Sequence, residues 1–214
     1  VKYIQLNAPL QAVVMEGPPA TLQAGEVRVK VARAGICGSD AHRFKGEHFM
    51  AAWPGRPGHE FAGTVVEAAP DVAVPIGQRV AVMPMVTCGS CVACQRGDTN
   101  HCPTLQVFGG ARPGAFANEV NVPAGNLRPI PDSMTWDEAV LVEPTGIAVH
   151  CCNRAGLAAG DRVAVLGAGS IGLLIQQVAK ARGASYILAT GRQAGKLALA
   201  KQMGADETVD TSHQ

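Results

Sequence analysis

The stretch Asp161–Arg162–Val163–Ala164–Val165–Leu166–Gly167–Ala168–Gly169–Ser170–Ile171–Gly172 decides how this chain of 214 residues is read. Its first six residues form an apolar strand pattern. A G-x-G-x-x-G turn follows at once, and a helical period opens inside it. Such a turn arises by chance in a chain with 25 glycines, but its place between a strand and a helix gives it meaning. Gly167 is expected to make the tight turn, Gly169 to let a pyrophosphate approach the backbone, and Gly172 to let helix and strand pack closely. The helix start at Ser170 and Ile171 supplies free N–H groups and a partial positive charge for phosphates.

Toward the C-terminus the pattern continues. A helix is predicted from about Ser170 to Arg182, with Ile171, Leu174, Ile175 and Val178 on its apolar face. Tyr186–Thr190 reads as a second strand, Gly195–Met203 as a second helix stopped by Gly204, and Glu207–Asp210 as a third strand. This β-α-β-α-β order is the first half of a doubly wound fold. No second half follows, so the chain is expected to be a fragment, or part of a longer one. At the end of the second strand, an NAD-binding protein places an acidic residue on the ribose hydroxyls. Here the residues are Thr190–Gly191–Arg192. With no carboxylate to repel a 2′-phosphate and a guanidinium to bind one, the expected cofactor is NADP(H) rather than NAD(H). Lys196, one turn on, adds a second positive charge. The competing reading makes Gly191 a simple turn and Arg192 a solvated side chain.

Toward the N-terminus the texture is different. In Glu26–Val27–Arg28–Val29–Lys30–Val31 charged and apolar residues alternate, the mark of a half-buried strand. Shorter strands are expected at Gly63–Glu67 and Arg79–Met83. Pro54, Pro57, Pro70, Pro75, Pro84 and Pro103 suit loops and strand edges, which predicts an irregular β-barrel. A helix is expected to start at Asp137–Val142 and to continue through Ala148–Arg154. The expected domains are 1–145 and 146–214.

Composition narrows the function classes. Apolar residues make up 47% and charged residues 16%, which is enough for a core and argues against disorder. Eighteen basic against seventeen acidic side chains, with 4% aromatics, offer nothing to nucleic acid or an anionic membrane. No apolar run reaches the length of a membrane span, and Val1–Leu10 lacks the pattern of a signal peptide. The seven cysteines, four of them clustered, suggest reduced thiolates in the cytoplasm rather than a disulfide scaffold.

Those four, Cys88, Cys91, Cys94 and Cys102, form C-x2-C-x2-C-x7-C within about residues 86–103. They match a closed tetrahedral zinc shell, with Gly89 and Gly97 letting the backbone curl round the ion. The fourth cysteine comes too late for an iron–sulfur run, and a redox C-x-x-C would open a helix in a βαβ unit. A second constellation is more open. Cys37 and His42 lie in Cys-Gly-Ser-Asp-Ala-His, His59 and Glu60 in Gly-His-Glu, and Glu143 precedes Pro144. A thiolate, an imidazole and a carboxylate leave a fourth coordination position for water or substrate, the arrangement of catalytic zinc. Ser39 can take a proton from a bound hydroxyl, and His42 can pass it to water. Each residue alone has a bland reading, a core cysteine or a polar turn. Cys151 and Cys152 read as small apolar residues of a helix.

The order of these motifs, Cys-Gly-Ser-Asp-x-His, Gly-His-Glu, a four-cysteine lobe, Glu-Pro and Gly-Ala-Gly-Ser-Ile-Gly, resembles the zinc-containing medium-chain dehydrogenases from about Glu26 to Asp210. The resemblance implies a GroES-like catalytic barrel followed by a Rossmann domain, a homodimer or homotetramer, and a small alcohol as substrate. It implies Cys37 and His59 as zinc ligands, Glu60 as a ligand or one exchanging with water, and Ser39 and His42 as a proton relay. Where the simplest alcohol dehydrogenases carry a second cysteine, this chain has Glu143, which looks like the sorbitol, threonine and butanediol dehydrogenase branch. The expected function is therefore a zinc-dependent hydride transfer between a secondary alcohol and a nicotinamide. The alternatives are a zinc-stapled module that senses NADP(H) without turnover, and a zinc-free quinone reductase, which lacks these ligands.

Overall fold

The computed structural model describes residues 1–48 and 53–212. They form two compact units, Val1–Glu143 and Pro144–Gln214.

The first unit opens on a hairpin, β1 (Lys2–Ala8) and β2 (Gln11–Glu16), followed by the long strand β3 (Glu26–Gly35) and the helix α1 (Gly38–Lys45). Then come β4 (Glu60–Ala68), β5 (Arg79–Val82), β6 (Met85–Val86), the short helix α2 (Val92–Gln95), β7 (Gln106–Val107), β8 (Glu119–Pro123), β9 (Leu127–Pro129) and the one-turn helix α3 (Trp136–Ala139). Five strands make one antiparallel sheet in the order β8-β3-β4-β5-β9. The hairpin is tied to the rest by bridges Tyr3↔Ala117 and Leu6↔Gly55.

The inward residues of the predicted strand, Val27 and Val29, are fully buried with Phe61, Val65, Val80, Val120 and Val122. Phe61 and Phe108 meet edge to face, ring centres 5.7 Å apart. The outward residues correct the expectation of a half-buried strand, because Glu26 and Arg28 are buried as well. The segment preceding β3 bonds to both side chains, and charged partners from elsewhere in the unit complete the pairing. Arg28 donates to the Ala20 carbonyl at 2.8 Å and pairs with Glu67 at 3.1 Å, while Glu26 accepts from the Gln23 N–H and from Arg112 at 2.5 Å. Strand β3 slips register twice against β4, at Arg28/Val29 and Val31/Arg33. Between them Gly63 lies so close to the Lys30 carbonyl that a Cβ would run into it.

The second unit holds most of α4 (Val142–Arg154), then β10 (Arg162–Leu166), α5 (Ser170–Ala181), β11 (Tyr186–Gly191), α6 (Ala194–Gln202) and β12 (Glu207–Asp210). The strands pair in parallel in the order β10-β11-β12, as the Rossmann reading requires. Two details differ from expectation. The helix predicted from Asp137 is two helices, and the first starts at Thr135, where Thr135 and Glu138 form a reciprocal capping box. The packed face of α5 is also displaced by one residue. Gln176, bonded to the Ala200 carbonyl of α6, and Ala179 are buried, while Ile171 is 36% exposed. The cause is Gly172, whose Cβ would strike the Gly167 carbonyl and crowd Val165, so the closest approach of backbones sets the helix phase.

Phe61→Ala is expected to cost the first unit about 3–5 kcal/mol, as truncation of a large buried aromatic does. Chemical denaturation of both forms measures it, and a loss below about 1 kcal/mol contradicts the placement of the core around the Phe61–Phe108 pair.

Candidate functional site

The open constellation is built from the ends of two paired strands. Gly35, last in β3, is register partner to Glu60, first in β4. A Cβ on Gly35 would run into the Glu60 carboxylate, so glycine there is what lets that side chain lie across the strand end. Two residues on, Cys37 is the N-cap of α1. Asp40, at the third helical position, accepts from the Cys37 N–H at 3.0 Å and from the Gly58 N–H at 3.2 Å. Its carboxylate lies 3.9 Å from His59 Nδ1, and the residue is buried. At that distance the carboxylate acts on the ring electrostatically, and its bond to the Gly58 N–H holds the residue before His59. Asp40 stands out in the sequence only through the N-cap spacing of Cys-x-x-Asp before a helical stretch.

The ligand atoms of Cys37, His59 and Glu60 lie within 4.8 Å of one another, and all three residues are half-buried. Their donors are sulfur, nitrogen and oxygen, a set that suits zinc. Glu143, in the first turn of α4, is not in this triplet but lies within electrostatic reach of it. Burial pushes its carboxyl above the usual range, with His59 opposing and Glu60 reinforcing the shift. Ser39 sits half-buried in the first turn of α1, and His42 is exposed one turn on, bonded through Nδ1 to Glu47 at 2.9 Å. Residues three apart share a helix face, so both relay candidates lie on one side of α1.

The cysteine lobe is a closed cluster. All four sulfurs lie within 4.8 Å of one another, Cys88 to Cys94 at 4.0 Å and Cys88 to Cys102 at 3.7 Å. Zinc–sulfur bonds of about 2.3 Å in a tetrahedron put sulfurs about 3.8 Å apart, so the spacing fits an ion and is far too long for a disulfide. Backbone N–H groups point at the thiols, from Cys91 to Cys88 at 3.3 Å and from Cys94 to Cys91 at 3.5 Å. Bonds from the Ser90 and Cys91 backbone bring the Cys88 thiol down to about 5, while desolvation pushes Cys94 up to about 11. A cation supplies what the second of these lacks. Gly89 and Gly97 take φ of 70° and 84°, which a side chain would resist. Cys152 is buried in α4 and belongs to neither cluster, as a small apolar residue would.

In the second unit Gly167 takes φ of 112° and donates to Thr190 Oγ1 at 3.2 Å, and the Ala168 N–H reaches the Thr190 carbonyl at 2.7 Å. The turn is thereby fixed to the end of β11. Gly169 is the N-cap of α5, and a Cβ there would meet nothing within 4 Å, leaving the approach to Ser170 and Ile171 open. Gly191 ends β11. Arg192 and Lys196 are exposed and form no ion pair among the described residues. No helix among those residues is long and apolar enough to cross a membrane.

A thiolate–imidazole–carboxylate triplet, a four-thiol lobe and a glycine turn on a parallel sheet define the class of zinc-binding dehydrogenases. The chain belongs to that alcohol dehydrogenase-like family: the alcohol dehydrogenase GroES-like domain matches residues 23–132, and the zinc-binding dehydrogenase domain matches residues 170–214. The starvation-sensing protein RspB of Escherichia coli is 39% identical over 214 residues, 99% of this chain and 63% of its own. A crystal structure of E. coli RspB with NADH superposes with a TM-score of 0.94 at 39% identity, over 100% of this chain and 63% of that one. Sorbitol dehydrogenase of Bacillus subtilis is 36% identical over 204 residues, 92% of this chain and 57% of its own. A Sinorhizobium meliloti protein solved with NADP bound gives a TM-score of 0.93 at 38% identity, over 100% of this chain and 62% of that one. The chain thus spans about three fifths of the length of the relatives it matches.

Cys94→Ser should weaken the lobe without touching the open triplet. Structural zinc contributes folding free energy directly, so the variant is expected to unfold at lower temperature and to lose the stabilisation that added Zn²⁺ gives the wild type. Equal melting curves with and without a chelator for both proteins would contradict a metal in the lobe.

Proposed function

We propose that the protein transfers a hydride between a secondary alcohol, polyol or sugar-like, and NADP(H), with zinc at Cys37, His59 and Glu60 and a second, structural zinc at Cys88, Cys91, Cys94 and Cys102. The observation that carries this reading is the convergence of the Cys37, His59 and Glu60 donor atoms within 4.8 Å in a chain of the zinc-binding dehydrogenase family. A bound Zn²⁺ supplies Lewis-acid stabilisation of a substrate oxygen, and a bound nicotinamide supplies the hydride acceptor. The chain's own residues do the rest. Asp40 holds the Cys37 backbone and the residue before His59 in place, and its charge faces the His59 ring. Ser39 takes the hydroxyl proton, and His42, exposed on the same helix face, hands it to water. Glu143 brings another carboxyl toward His59 and Glu60, which suits substrates with vicinal hydroxyls. The names of several relatives fit this class, among them sorbitol dehydrogenase and the D-arabitol-phosphate dehydrogenase of Enterococcus avium.

The cofactor follows from the end of β11. RspB has been solved with NADH and the S. meliloti protein with NADP, so the same fold takes either. Here Gly191 puts no carboxylate beside the ribose, and Arg192 and Lys196 are exposed cations that form no ion pair among the described residues. One charge-assisted bond from Arg192 to a 2′-phosphate is worth about 1.5–3 kcal/mol, or roughly one to two powers of ten in affinity.

Two measurements on the full-length enzyme test the reading. A panel of polyols, amino alcohols and simple alcohols with NADP⁺ and NAD⁺ is expected to give turnover that Cys37→Ala and His59→Ala abolish without unfolding the protein. NADP(H) binding with no turnover on any of them favours a sensing module instead. For the cofactor, Gly191→Asp with Arg192→Ala is expected to move kcat/KM from NADP⁺ toward NAD⁺, through a lost attraction and an added repulsion. The new side chain finds room if Leu197 yields slightly, its Cδ2 lying 3.1 Å from the added Cβ. A wild type that prefers NAD⁺ refutes the role given to Arg192.

A further inference from the structure

We propose that Glu47 is the positioning residue of the proton relay, fixing His42 with its proton on Nδ1 and its Nε2 lone pair free. The inference rests on the relay role given to His42 above.

The geometry begins at the end of α1. Gly46 follows the helix with φ of 81°, and its N–H donates to the Arg43 carbonyl at 3.0 Å. The next N–H, that of Glu47, turns back to the His42 carbonyl at 2.9 Å. These two bonds make the 5→2 and 6→1 pattern of a Schellman end, which returns the residue after the glycine over the last turn of the helix. No side chain fits at Gly46, because the conformation is left-handed and a Cβ would press into Pro9 at 2.7 Å. The main chain therefore delivers the Glu47 side chain to His42, five residues earlier, whatever the side chain is.

What the side chain does there follows from donor chemistry. An ionised carboxylate only accepts hydrogen bonds. Glu47 Oε2 lies 2.9 Å from His42 Nδ1, so that nitrogen carries the proton, and a neutral ring must hold its lone pair on Nε2. Among the described residues Glu47 is the one hydrogen-bond partner of the His42 ring. Side-chain exposures of 62% and 55% put the pair at the surface and make it a modest energetic contributor. A selected tautomer needs no more than that. A proton acceptor in a relay must present a lone pair on the side the proton comes from and must not donate there. Without Glu47 the ring is free to protonate on either nitrogen and to turn.

The test uses the intact enzyme with ¹⁵N-labelled histidine, at a pH well above the ordinary histidine range, with the His42 signals assigned by their loss in His42→Ala. The wild type is expected to show His42 as the Nδ1–H tautomer, and Glu47→Ala to shift it mainly to Nε2–H. Glu47→Ala keeps the backbone bond to His42, so the helix end stays intact. In turnover, Glu47→Ala is expected to lower kcat about tenfold with KM for alcohol and cofactor unchanged, a part of the roughly 10²–10⁴-fold that general acid–base catalysis contributes. A wild-type Nε2–H tautomer, or one unmoved in Glu47→Ala, overturns the proposal. So does a kcat unchanged in Glu47→Ala but reduced in His42→Ala, and that result leaves the relay reading standing. If His42→Ala itself turns over normally, the relay reading falls and this proposal with it.

Discussion

The Asp40 carboxylate is the contact on which the open site depends. Buried at the start of α1, it accepts from the backbone of Cys37 and of Gly58 and faces the ring of His59. Cys37 and His59 are 22 positions apart in sequence and sit on separate loops. The strand pairing Gly35↔Glu60 brings those loops to the same edge of the sheet, but pairing alone sets backbone, not side chains. One carboxylate bonded to the backbone of both loops holds Cys37 and the residue before His59 together, and its charge faces the His59 ring. A buried acid of this kind is tolerated because its oxygens are engaged by N–H donors and an imidazole, where an unpaired one would cost several kcal/mol.

The two clusters solve different problems with the same chemistry. The cysteine lobe lies between short elements, β6, α2 and β7, that bury little apolar surface of their own. Four thiols 3.7–4.0 Å apart along the measured pairs, with backbone N–H groups turned toward them, make a cross-link in place of a core. The open triplet sits instead at the ends of β3 and β4 in the main sheet of the first unit, which has its own apolar core. It brings together three donors where the lobe has four, the count that distinguishes open metal sites from closed ones in general.

Much of this was legible in the residues. In the second unit the strands and helices fall within a residue or two of the periodic pattern, and β12 spans the very residues expected, because parallel βαβ units alternate long apolar strands with long periodic helices. The apolar stripe of α5 misled by one position, since Gly172 sets the phase by close approach and periodicity counts only side chains that are present. In the first unit, α1 and the β1–β2 hairpin escaped notice because eight helical residues and two short strands carry little periodic signal. Alternation in β3 correctly gave its apolar face, yet it could not reveal that Glu26 and Arg28 would be covered by a preceding segment and paired across long sequence distances. The motif residues were readable as types and spacings. Asp40 and Glu47 were not, because their importance lies in what they hold. A hydrogen bond to a ligand's backbone or to a relay histidine leaves no trace in composition.

A zinc-dependent reading of this chain requires two metal sites, one of them open. The most direct measurement is elemental zinc per chain in protein purified without chelator, for the wild type and for Cys37→Ala. Two zinc ions are expected in the first and one in the second. No zinc in the wild type, or two retained in Cys37→Ala, would contradict it.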